Sequence, residues 1–82
     1  MNHFLHDLHS EFPDDGDILH QLKLSDGHFP TLADEYHAHN KEIQRIENGI
    51  DASSDERLEE LKKQRLLMLD QMSAMIKHAK AA

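Results

Sequence analysis

Two rows of apolar side chains at alternating three- and four-residue spacing, one on each side of a short Ser/Asp-rich stretch, constrain this chain more than any other feature. In the first row Phe29, Tyr36, Ile43 and Ile50 recur at heptad spacing, interleaved with Leu32, His39 and Ile46. In the second, Leu58, Leu61, Arg65, Met68, Met72, Met75 and Ala79 continue the pattern. A row of this period keeps one narrow stripe of a helix turned toward a partner helix. The predicted fold class is therefore all-α: a long, coiled-coil-like hairpin with arms over residues 28–49 and 54–79. The link Asp51-Ala52-Ser53-Ser54 is too short for anything but antiparallel neighbours.

Local signals agree with those arms. Pro30 suits the first turn of a helix, and Gly49 suits the left-handed residue that stops one. Ser53-x-x-Glu56 reads as a capping box for the second arm. Asp55 and Glu56 favour the positive end of that helix dipole, and Lys77, His78 and Lys80 favour the negative end. Ahead of the hairpin, Met1, Phe4, Leu5, Leu8 and Phe12 fall on one face of a helix over residues 2–12, which Pro13-Asp14-Asp15-Gly16 breaks. A short helix over Asp17–Leu24 follows, with Asp17 as N-cap and Ile18, Leu19 and Leu22 as its apolar side. Residues 1–82 thus form one domain, of which 1–24 is a short helical segment.

So small a domain buries a modest share of its surface, and many of its size depend on disulfides, a metal or oligomerisation. The 82-residue chain has no cysteine, which excludes disulfides and thiolate metal sites. The run Leu66-Leu67-Met68-Leu69 points nearly all round its helix, so one partner helix covers only part of it. Either the N-terminal segment or a second copy must cover the rest. The expectation is a homodimer or higher oligomer, a helical bundle whose seam and interface draw on Phe29, Leu32, Tyr36, His39, Ile43, Ile46, Ile50, Leu58, Leu61, Leu66, Met68, Leu69, Met72 and Met75.

Charge narrows the partners. Eleven acidic against three basic side chains give −8 over residues 1–53, while five against six give +1 over 54–82, for the whole-chain −7. Unlike arms favour pairing with each other over pairing with themselves. A net negative chain is a poor direct partner for nucleic acid or an anionic membrane surface. No apolar run approaches the roughly 20 residues a membrane span needs. The opening MNHFLHDLH lacks the basic and apolar regions of a secretory signal, so a cytoplasmic protein is expected.

Four stretches together resemble the YdcH family of small bacterial proteins of unknown function: LHSEFP at Leu8–Pro13, LKLSDGHF at Leu22–Phe29, DEYHAHNKEIQRIE at Asp34–Glu47 and SDERLEELKKQRLLMLD at Ser54–Asp70. The resemblance covers about residues 8–76. It implies a self-associating helical hairpin with no known enzymatic activity. The chain departs from the family's usual residues at His39, where leucine is usual in the seam, at Leu69, where lysine is common, and at Gln71, where glutamate is common.

Chemistry-bearing residues are sparse. The chain has eight histidines, of which His3, His6 and His9 lie at helical spacing. Imidazoles so placed suit Zn, Cu or Ni, yet a working site needs about four convergent ligands and the HEXXH pattern is absent. No cofactor or metal is assigned. His39 sits on the predicted seam, where a polar residue fixes register and where protonation would put charge into the interface. Tyr36 reads as a buried ring with its hydroxyl at the edge, and Met68, Met72 and Met75 as adaptable packing. Lys62, Lys63 and Arg65 form a basic cluster that Glu59 and Glu60 partly offset at helical spacing. No nucleophile elbow or Gly-rich phosphate loop is present, and no enzyme is expected. The leading expectation is a self-associating interaction or scaffold module that also meets another cytosolic protein. The alternative is a histidine-based metal- or pH-responsive protein.

Overall fold

A computed structural model describes residues 8–25 and 27–81 of the chain. Residues 8–11 make one helical turn, closed by Phe12 N–H donating to Leu8 C=O at 2.8 Å. Three helices follow: α1, Gly16–Ser25; α2, His28–Glu47; and α3, Asp55–Ala81. The described residues contain no strand. The arms of the hairpin are α2 and α3, antiparallel as the short link requires. No helix among the described residues is long and apolar enough to cross a membrane.

The helix ends follow capping chemistry. At the start of α2, Thr31 Oγ1 donates to Gly27 C=O at 2.8 Å, and Pro30 occupies a first-turn position whose N–H would have no helical acceptor. The far end is a Schellman motif. Gly49 has φ +76°, its N–H donates to Ile46 C=O at 3.1 Å, and Ile50 N–H donates to Arg45 C=O at 2.8 Å. Arg45 then clamps the turn from outside: Nε and Nη2 reach the two Asp51 carboxylate oxygens at 2.8 and 3.1 Å. The side-chain hydrogen bond raises the Arg45 pKa above its ordinary value and lowers that of Asp51.

Two caps differ from the sequence expectation by a short step. Because α3 starts at Asp55, the N-cap is Ser54, whose Oγ accepts from Arg57 N–H at 3.1 Å, and no capping box forms from Ser53 and Glu56. Because α1 starts at Gly16, Asp15 stands at its N-cap, its carbonyl accepting from Leu19 N–H at 2.9 Å, and Asp17 lies in the first turn. Gly16 also lets the chain fold tightly there, since a Cβ at this position would come within 3.0 Å of the His9 ring.

The main core lies at the end of the hairpin remote from the α2–α3 turn. Phe29, Leu32, Ala33 and Tyr36 of α2 meet Met72 and Ile76 of α3, and Leu8 and Leu19 close over them. Phe12, Ile18, Leu22, Met68, Leu69 and Met75 pack round the edge. Nearer the turn, Ile43 and Leu61 are buried. The N-terminal segment, over its described part, is therefore a lid on the hairpin. An ion pair holds it: Lys80 Nζ lies 2.6 Å from Asp15 Oδ1, an otherwise unpartnered buried oxygen.

Candidate interaction surface

Polar pairs stitch α2 to α3 along the flanks of the seam. His39 Nε2 lies 2.7 Å from Gln64 Oε1, and Arg65 Nη1 donates to Asn40 Oδ1 at 2.9 Å. Toward the turn, Arg57 meets Glu42 at 2.7 Å and Lys62 meets Glu47 at 3.3 Å. The two ion pairs join acidic side chains of α2 to basic side chains of α3, in keeping with the split in charge between the two halves. The pairs also take up Lys62 and Arg65 of the expected basic cluster and leave Lys63 exposed on the back of α3.

The seam residues are placed unequally. Phe29, Leu32, Tyr36, Ile43, Leu61 and Met72 are buried, while Ile46, Leu58, Met68, Leu69 and Met75 are partly buried. Ile50 is 62% exposed, because the left-handed turn at Gly49 carries it off the helix before the next heptad position is reached. Leu66 is 60% exposed and also stands outside the intramolecular seam, since it lies beyond the edge of the stripe that faces α2. His39 is at the rim, half-buried, with Nδ1 3.1 Å from Glu35 C=O. The carbonyl accepts, so Nδ1 donates. Nε2 either accepts from a turned-over Gln64 amide or donates to Oε1 when the ring holds both protons.

Sequence reasoning missed Ala33 and Ile76. Both are buried because the lid adds a third surface, so the covered stripe on each arm is wider than a two-helix seam needs.

Leu24 and Ile50 are exposed singly, and an adjacent apolar pair is left uncovered on the back of α3. Leu66 and Leu67 are 60% and 61% exposed at the middle of this helix. One shallow depression runs beside them, lined by Glu60, Lys63, Gln64, Leu66 and Leu67, and a second lies toward the N-terminal end, lined by Asp55, Glu56, Glu59, Glu60 and Lys63. Lys63 does not form the expected ion pairs with Glu59 or Glu60. Among the described residues no three His, Asp or Glu side chains converge as metal ligands, and His3 and His6 fall outside those residues. His9 packs against Gly16 in the lid.

No curated protein and no solved structure matches the chain. One family profile does, over residues 29–76, with the description "Protein of unknown function (DUF465)". The match begins at the first buried aromatic ring of α2 and ends at the last buried residue of α3, so it spans the hairpin and leaves the lid outside. The chain therefore belongs to the DUF465 family of small uncharacterised proteins, the family that contains YdcH.

Proposed function

We propose that this protein is a non-enzymatic helical interaction module that associates with itself and works as a small cytoplasmic scaffold. One observation carries the reading: two adjacent leucines stay about three-fifths exposed at the middle of the longest helix, whereas the other exposed large apolar side chains among the described residues, Leu24 and Ile50, stand singly at helix ends and turns. Exposed leucines scattered singly need no explanation, but a pair beside a depression on a rigid helix face is a surface suited to another helix. The charge pattern supports a protein partner, since the acidic arm repels nucleic acid and anionic lipid. No described cluster of side chains favours the metal-responsive alternative.

Size-exclusion chromatography with light scattering tests the reading. The expected result is a mass above the single-chain 9.5 kDa that falls toward it on dilution through the micromolar range. A single-chain mass at every concentration overturns it.

A further inference from the structure

The back of α3 carries a second row at coiled-coil spacing, separate from the row that faces α2. Glu56, Glu60, Lys63, Leu67, Asp70 and Lys77 follow one another in alternating steps of four and three, with Ala74 filling the gap before Lys77. All of them are exposed. Six residues of this kind on one face of a helix are ordinarily a solvated surface. Their order along the helix is what sets this row apart.

The charges are arranged about the two leucines so that the row is complementary to itself when reversed. Glu56 and Lys77 stand equally far from the midpoint between Leu66 and Leu67, on opposite sides of it. So do Lys63 and Asp70. A two-fold axis through that midpoint therefore lays acid on base at each of these positions and leucine on leucine at the centre. Parallel pairing in register instead sets Glu56 against Glu56 and Lys77 against Lys77. Lys63 and Asp70 make no ion pair among the described residues, so both remain available. Small Ala74 lets the backbones approach beside the leucines.

From this we infer that the occupant of the surface is a second copy of the chain, packed back to back through α3 and its partner's α3 in antiparallel register, with Leu66 and Leu67 on the two-fold axis. This rests on the reading of the protein as self-associating and adds the surface, the orientation and the register. A contact of this kind is isologous: the same patch serves both copies, and it closes as a dimer without leaving a free edge. It also leaves the lid and the seam undisturbed, because neither uses the back of α3. Like-charge contacts in the parallel arrangement add negative selection against it.

Substitutions on this exposed face are expected to leave the folded hairpin intact, which circular dichroism checks. Leu67→Glu places two carboxylates on the axis and is expected to weaken the dimer at least tenfold. Lys63→Asp alone is expected to weaken it, and Lys63→Asp combined with Asp70→Lys to restore it, since the exchange rebuilds the same complementarity with signs reversed. The native chain has no cysteine, so single spin labels at Ala74→Cys or Ala81→Cys report the geometry cleanly. Antiparallel packing puts the paired labels about 25 Å apart at position 74 and about 45 Å apart at position 81, from helical rise and interaxial distance. A wild-type dimer that ignores Leu67→Glu, or label distances equal at the two positions, overturns the inference while leaving self-association standing. A wild-type protein that is a monomer throughout overturns both.

Discussion

His39 Nε2 and Gln64 Oε1 lie 2.7 Å apart, joining the middle of α2 to the middle of α3 across the rim of the seam. A leucine at this position would offer the same face only apolar contact, so the histidine makes this layer specific to one register of the hairpin. A double-mutant cycle with His39→Ala and Gln64→Ala should return a coupling of about 0.5–1 kcal/mol, the range for a partly exposed hydrogen bond. Urea denaturation followed by circular dichroism gives the four stabilities. Additive effects would mean the contact does not stabilise the fold.

The cap of α3 separates two neighbouring serines. Ser54 Oγ accepts the Arg57 N–H, whereas Ser53 Oγ donates to the Ser54 carbonyl outside the helix. Ser54→Ala should destabilise by about 1 kcal/mol and Ser53→Ala by under about 0.5 kcal/mol. Thermal melts of the two variants side by side check the order.

The Arg45–Asp51 clamp gives a pH dependence with a defined sign. The folded state holds the Asp51 pKa below the ordinary aspartate value of 3.8, through the side-chain hydrogen bond from Arg45. Its contribution to stability is present above pH 3.8 and is lost as pH falls through the lowered folded value. Carboxyl-carbon NMR should place the Asp51 midpoint below that of a free aspartate, and Arg45→Gln should move it back up. Both side chains are about half exposed, so salt should also weaken the effect.

Leu8 and Leu19 bind the lid to the hairpin, and both are wholly buried. Leu19→Ala should destabilise the protein by about 2–4 kcal/mol. Limited proteolysis should cut the lid of that variant well before the hairpin, while the wild type resists cleavage between Leu8 and Leu24. Lys80→Met, which strips Asp15 Oδ1 of its partner, should loosen the same segment more mildly.

The hairpin was legible from the sequence because its two rows state their own period. Phe29, Tyr36, Ile43, Leu61 and Met72 are buried where heptad spacing places them. The burial of Ala33 and Ile76 was not legible, since it depends on a third element arriving over the pair, and periodicity within one helix carries no information about that. Leu8 and Leu19 announced an apolar face but not what it covers. The caps slipped by one or two residues, from Ser53 to Ser54 and from Asp17 to Asp15, because two candidate residues stood at each helix start. Backbone geometry, not residue type, decided between them. The exposed leucines at 66 and 67 were visible only as part of an apolar run. Subtracting what the lid and α2 cover is what separates them.

Self-association through the back of α3 is tested most directly by an isotope-filtered NOE experiment on mixed labelled and unlabelled protein. The expected result is a set of intermolecular cross-peaks from the Leu66 and Leu67 methyl groups to the same leucines of the other copy, with none from Ile43 or Leu19. Intermolecular peaks confined to the seam residues, or none at all at dimer-forming concentration, would contradict it.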